Sequence, residues 1–283
     1  MTDARSPSLP GARRRAATRI RYAVWGLAAV LTTASCTGAP VHSPGAGAPA
    51  NSPSAAPVVP PSAPSAYPWH TNIVATTFWV GEIFDPNAED GSQVESAYDD
   101  RWLDHFGGCD GVVTRGNCET EPRTAANGFF PTRMTPRENP FYLDVPYDDV
   151  GDEVANRQRA AVVPWASDER YSARVSDPGF SLLKNRWVRI RHSGKVCYGQ
   201  IQDAGPGRYD DAKYVFGTDD ARPANDRFNG AGMDVSPALN GCLGFGELDG
   251  ENDRIDWQFV DDSAVPPGPW KIIVTTSGVT HQS

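Results

Sequence analysis

Two short blocks constrain this chain more than any other part of it. The first, Val196-Cys-Tyr-Gly-Gln-Ile-Gln-Asp203-Ala-Gly-Pro-Gly207, is a β-prone run that ends in a carboxylate. Glycine and proline then fix a turn. The second, Gly232-Met-Asp234-Val-Ser-Pro237, sets another carboxylate just ahead of a helix start. Ser236 is a natural N-cap and Pro237 a natural first helical residue. The helix they open should stop at Gly244. By the two-residue period of a strand, Cys197 shares a face with Gly199, Ile201 and Asp203. By helical spacing, Val235, Leu239 and Cys242 share another. Both sulfurs then point into one core.

Four cysteines follow Cys36, namely Cys109, Cys118, Cys197 and Cys242. An even number in an exported chain reads as disulfides. Three pairings exist, and local pattern favours one. Cys109 and Cys118 flank a glycine-rich loop and should clip it, which leaves Cys197 with Cys242. A zinc site is the alternative, but there is no CxxC spacing and the histidines are scattered.

The N-terminal residues carry a different message. Arg13, Arg14, Arg15, Arg19 and Arg21 precede an uncharged, mostly apolar run, Tyr22 to Thr33. That run suits a signal sequence and is short for a bilayer span. It ends Thr33-Ala34-Ser35-Cys36, which resembles a bacterial lipobox, with Thr33 where leucine is usual. Residues 1–36 therefore read as a signal peptide and Cys36 as a lipidation site. Ordinary cleavage and free secretion are the alternative. Residues 37–68 are Pro, Ala, Ser and Gly with no Lys, Arg, Asp or Glu, the composition of a disordered tether. The first 36 residues carry six Arg and one Asp, or +5, so residues 69–283 carry −14 of a chain total of −9. Such an acidic surface argues against nucleic acid and anionic lipid as partners. Contact with a membrane is expected only through the N-terminal anchor.

Along residues 69–283 the β signals are short and frequent. Runs at 72–80, 141–145, 187–191, 196–202, 255–260 and 271–275 read as strands, with Ser193-Gly194 a hairpin turn between the third and fourth. Residues 85–123 are polar and rich in Asp and Gly, and read as a long insertion clipped by Cys109–Cys118. Asp85 to Gly91 has some features of a calcium loop, but the glycine is one place late and Ser96 stands where the closing Glu belongs. One helix is signalled among so many short strands, so the fold class is mainly β, a small closed barrel.

These residues permit a comparison. Asp203-Ala-Gly-Pro206, followed by Met233-Asp-Val-Ser-Pro-Ala-Leu239 and Leu243-Gly244, is similar to the rare lipoprotein A family. There a strand ends Asp-Arg-Gly-Pro and is followed by Ile-Asp-Leu-Ser-x-Ala-Ala and a helix ending Leu-Gly. Thr77-Phe-Trp-Val-Gly81 resembles that family's Thr-x-Tyr-Gly strand, and Thr124-Ala-Ala-Asn-Gly128 its Thr-Ala-Asn-Gly turn. Expansins and related endoglucanases are more distantly similar. The resemblance covers most of residues 72–244 and implies a six-stranded double-psi β-barrel. Its implied activity is that of a lytic transglycosylase on peptidoglycan glycan strands. Two positions depart from the family. Phe129 and Phe130 replace its acidic residue, and Met134 to Asn139 lacks its histidine. Glu138 is the candidate substitute.

Glycosidic cleavage needs an acid for the leaving oxygen, and a base for water or for the sugar's own hydroxyl. Asp203, in a barrel mouth, is the acid candidate, its pKa raised by burial. Asp234, before a helix start, is the base or stabiliser, since the dipole favours its ionised form. A hydrolytic pair should stand roughly 5–10 Å apart in one open groove. Both carboxylates also have a plain role in bonding their own turns. Among seven tryptophans of the domain, Trp79 is the first candidate sugar platform, followed by Trp102, Trp165 and Tyr209. No cofactor or metal is implied. The expected partner is cell-wall glycan or another polysaccharide, met at the outer face of the membrane or in the cell wall. The chain then either cleaves that glycan or is a non-catalytic binding or interaction lipoprotein. Closure of the mouth by residues 85–123 would favour the second.

Overall fold

The computed structural model describes residues 66–281 apart from 88–90, 249 and 251. The signal-like residues 1–36 with Cys36, and residues 37–65 of the tether, lie outside them. The tether ends earlier than composition suggests. Tyr67 packs edge-on to Trp165, with ring centroids 5.5 Å apart, because an aromatic ring gains more from burial than from solvent.

The β-branched and aromatic runs build a closed barrel. Its strands are β1 (His70–Thr77), β4 (Tyr142–Asp144), β5 (Trp187–His192), β6 (Lys195–Ile201), β7 (Met233–Val235) and β8 (Asp253–Val260), in the order β1-β7-β4-β6-β5-β8. β1 runs parallel to β7 and β4 parallel to β6, while β4–β7, β5–β6, β5–β8 and β1–β8 are antiparallel. Two parallel pairs joined through an antiparallel one are compatible with a double-psi barrel. Ser193 and Gly194 turn β5 into β6 with φ of 46° and 80°, the left-handed geometry a tight hairpin requires.

α5 (Pro237–Leu243) forms as its sequence dictates. Ser236 accepts the Leu239 N–H at 3.3 Å, and Gly244 ends the helix with φ 70°. Its inner face covers the barrel with Leu239 and Leu243, both fully buried. Burying each such side chain contributes about 1.5–3 kcal/mol. Cys197–Cys242 joins β6 to this helix, and Cys109–Cys118 closes the insertion loop, both as the pattern predicts.

Several elements differ from the sequence reading. β7 is a barrel strand, although its three residues read as a lead-in to the helix. Residues 271–275 are not a strand. Pro269–Lys271 is a 3-10 turn, and the Thr275 backbone is paired by a side chain: Gln200 Oε1 accepts its N–H at 3.0 Å and Gln200 Nε2 donates to its carbonyl at 3.1 Å. Four helices accompany α5 among the described residues: α1 (Trp102–Phe106), α2 (Glu153–Val162), α3 (Glu169–Ser172) and α4 (Ala212–Phe216). The irregular chain around α2 and α3 is gathered by one buried guanidinium. Arg159 donates to the carbonyls of Asp149, Val175, Asp177 and Phe180.

The insertion is more ordered than a polar loop. It holds α1 and a two-stranded ribbon, β2 (Val112–Thr114) with β3 (Asn117–Glu119). It also closes a second core, in which Trp102 and Phe106 pack with Phe78, Val80 and Tyr142. At the start of the calcium-like stretch, Asp85 Oδ1 accepts the Asn87 N–H at 2.9 Å in an Asx turn.

Cys197→Ala with Cys242→Ala reopens a loop whose ends are 45 residues apart. It should lower the unfolding free energy by about 3–4 kcal/mol. The pair Cys109→Ala and Cys118→Ala, 9 residues apart, should cost less. Urea unfolding of both double variants measures the order, and an unchanged midpoint on loss of Cys197–Cys242 refutes it.

Candidate functional site

The ends of β4 and β6 and the middle of β7 meet at one end of the barrel. The register pairs Asp144 with Asp234 across β4 and β7 and Leu143 with Ile201 across β4 and β6. Asp203 follows β6 by two residues, so three carboxyl groups converge. Asp144 Oδ1 accepts the Asp234 N–H at 3.0 Å. Asp203 Oδ1 accepts the N–H groups of Ala204 at 2.8 Å and Ala97 at 2.7 Å. Gly205 is pressed onto the cluster, since a Cβ there would stand 3.1 Å from Asp144 Oδ2. The glycine of the Ala-Gly-Pro turn is therefore needed for a close approach.

Burial dominates the electrostatics. It drives the Asp203 carboxyl up to about 7, with Asp148 adding to the rise. The bonds from Ala97 and Ala204 and the charge of Lys184 act against it. Burial and then the charge of Asp203 push Asp234 up to about 7 as well. Asp234 is partly exposed as a residue, yet its Oδ1 is shut from solvent and has no hydrogen-bond partner. Asp144 lies well above the usual carboxylate range through burial and the charges of Asp234 and Asp203. The expectation that Asp234 is held ionised by the α5 dipole is thus corrected. It sits on a strand before the N-cap, and desolvation wins.

Asp144 and Lys184 were missed by sequence reasoning. An Asp inside the apolar run Phe141 to Val145 was a usable signal, because a charge almost never enters such a strand without a reason. Lys184 had no signal. Its ammonium is buried without a hydrogen-bond partner. Burial lowers its pKa, against the pull of Glu138, Asp99 and Asp203. Glu138, the proposed substitute acid, is buried too and accepts the Ser277 hydroxyl at 2.9 Å.

Three of the four candidate sugar platforms are corrected by burial. Trp79 lies under the ribbon, its indole N–H donating to Cys118 O at 3.0 Å. Trp102 fills the second core. Trp165 fills the first, donating to Leu182 O at 2.7 Å. A ring without an open face cannot stack on a sugar. Tyr209 is 45% exposed. Its loop braces the carboxylates, because its carbonyl accepts the Asp148 N–H at 2.8 Å. On the opposite strand face, Arg189 and Arg191 stack over Trp69, at 5.4 and 3.5 Å from the ring centre.

The insertion reaches the mouth. Ala97, from the insertion, rests on Asp203, and Tyr98 is buried beside it. Two surface grooves, of about 300 and 440 Å³, lie at the β5–β6 turn and at α1, and neither is lined by Asp144, Asp203 or Asp234. Among the described residues, no group of three His, Cys, Asp or Glu is placed to hold a metal ion. Chemically, Asp203 and Asp234 offer carboxyl groups poised near neutrality, each able to give or take a proton. Comparison of the chain with known protein families and with curated proteins gave no match.

The raised pKa values carry a stability consequence. Between the ordinary carboxylate value and about 7, the folded protein keeps protons on Asp203 and Asp234 that the unfolded chain gives up. That stability is complete below the unfolded pKa and is lost as pH rises through about 7. Its size is on the order of a few kcal/mol. The thermal midpoint should fall between about pH 5 and about pH 8, and Asp234→Asn should reduce that fall by roughly 5 °C. A variant whose midpoint tracks the parent at every pH contradicts the assignment.

Proposed function

We propose that this domain engages glycan strands of the cell envelope, with Asp203 and Asp234 as an acid–base pair of the lytic transglycosylase or glycoside hydrolase kind. The observation that carries the reading is the pair itself, two carboxyl groups at one end of the barrel, each pushed up to about 7. A carboxyl group at that value is protonated often enough to donate to a glycosidic oxygen. Once ionised, its neighbour can accept a proton from the sugar's own hydroxyl. In a transglycosylase reaction no water need enter between them, which suits a mouth that the insertion reaches. Asp144 remains neutral and holds the Asp234 backbone in place.

Further support comes from the Asp203 and Asp234 blocks, which resemble those of rare lipoprotein A, and from the barrel, which is compatible with that family's. The signal-like N-terminus and the lipobox-like Cys36 support export and an anchored or secreted location. At the two departures from the family pattern, Phe129 and Phe130 pack their rings against Phe141, and Glu138 lies near Lys184. Acid–base work in this reading therefore falls on Asp203 and Asp234 alone.

A second reading, glycan binding or protein interaction without turnover, is favoured by one specific observation. The Ala97 N–H occupies Asp203 Oδ1 and brings the insertion over the mouth. In that reading the exposed Tyr209 ring is the contact surface.

Incubating the full-length protein with purified peptidoglycan and separating soluble fragments by chromatography tests both. Catalysis predicts fragment release that falls at least about 100-fold in Asp203→Asn and in Asp234→Asn, with folding retained by circular dichroism. Retention on the insoluble glycan that drops about fivefold in Tyr209→Ala, with no fragments from any variant, selects the second reading. Neither release nor retention defeats both.

A further inference from the structure

Away from the carboxylate cluster, the insertion sets a buried acid behind a partly exposed imidazole. His105 Nδ1 lies 2.7 and 2.9 Å from the two oxygens of Asp99. Asp99 is fully buried, and it also accepts the Thr280 hydroxyl at 2.7 Å and the Arg101 N–H at 2.9 Å. Burial alone would raise its pKa, but the bonds from Thr280, His105 and Arg101 hold it below the usual carboxylate range. An ionised Asp99 favours the tautomer with the proton on Nδ1, the one whose neutral imidazole carries its lone pair on Nε2. The His105 side chain is 38% exposed, and it lines a groove of about 440 Å³ together with Arg101, Arg137, Gly107 and Gly108.

The groove is built, and two cations serve it in a domain of strongly negative charge. Arg137 donates its N–H to Phe106 O at 2.8 Å, which holds it beside His105. Its side chain lies over Gly107, where a Cβ would stand 3.4 Å from Arg137 Cγ. Gly107 and Gly108 have φ of 107° and 125°, and a Cβ on Gly108 would meet nothing within 4 Å, so the floor is open. Arg101 pairs with Asp104 at 2.9 Å, both well exposed, a contact that water and a competing anion readily replace. Among the described residues, Arg137 makes no ion pair. Asp100 and Asp104 flank the groove, and the charge of Lys184 reaches Asp99 from behind.

Guanidinium groups call for charged oxygens, while Nε2 with its lone pair calls for an acidic O–H. A phosphate monoester supplies both near neutral pH, because its second pKa is about 6. Sulfate has the shape and charge but no proton, and an ionised carboxylate has charge but neither the tetrahedral shape nor a proton. We propose that the groove at α1 binds a phosphate group, as a monoester or as free phosphate. Arg101 and Arg137 take the charged oxygens, and His105 Nε2 accepts the P–O–H hydrogen bond.

The test follows the His105 ring signal of the full-length protein by NMR, assigned with His105→Gln, while titrating inorganic phosphate, glucose 6-phosphate or sulfate at fixed ionic strength. The expected result is a saturable His105 shift with phosphate, at least about tenfold weaker with sulfate, and weakened about tenfold by Arg137→Gln, which lies on the surface. Tighter binding of glucose 6-phosphate assigns the ligand to a sugar ester, and equal or weaker binding assigns it to free phosphate. No saturable shift with either phosphate compound overturns the proposal. So does equal affinity for sulfate, or an Arg137→Gln titration identical to the parent's.

Discussion

The barrel depends on a carboxyl group standing in for a backbone carbonyl. β4 and β7 are three residues each, and their pairing spans two positions. That short ladder is the seam between the two parallel strand pairs. Asp144 Oδ1 accepts the Asp234 N–H, so a side chain extends a ladder the backbone leaves short. The seam is buried, and a buried polar group must be bonded or neutral. Asp144 is bonded, and burial with two neighbouring acids favours its protonated form. The same desolvation lifts Asp203 and Asp234. What makes this cluster suited to proton exchange is thus a by-product of how the barrel closes.

The insertion belongs to this arrangement rather than hanging from it. Arg123 donates to Asp110, which accepts the Tyr142 hydroxyl, and that hydroxyl accepts the Val80 N–H at 3.0 Å. One chain of bonds runs from the insertion, through a fully buried ion pair, to the end of β1. Removing one partner of such a pair leaves a bare buried charge, which costs about 3–5 kcal/mol. Trp102 and Phe106 fill the space beside it. The seat of Ala97 on Asp203 is therefore held by a packed body.

Much of this was legible in the residues. Periodicity placed Cys197–Cys242, the glycine-rich loop between Cys109 and Cys118 placed the other disulfide, and Ser236, Pro237 and Gly244 bounded α5. Asp203 and Asp234 were found because each stands next to a turn signal. Elements whose stabilisation comes from distant partners were hidden. Three-residue β7 has too few positions to show a period, and α2 follows a stretch organised by Arg159, whose carbonyl partners no local pattern reveals. Residues 271–275 read as a strand, but they begin in a 3-10 turn, and Gln200 bonds the Thr275 backbone where a neighbouring strand would. The tryptophans misled for a related reason. Large rings fill both cores and the underside of the ribbon, so Trp79, Trp102 and Trp165 are filler where an exposed platform was expected.

The contact between Gly205 and Asp144 joins two positions far apart in the chain into one unit of change. A methyl at 205 would press on the carboxyl at 144, and a smaller residue at 144 would leave the Asp234 N–H without an acceptor. A larger residue at 205 is thus accommodated only where the side chain at 144 yields by a few tenths of an ångström, so tolerance at one position is set by the side chain at the other.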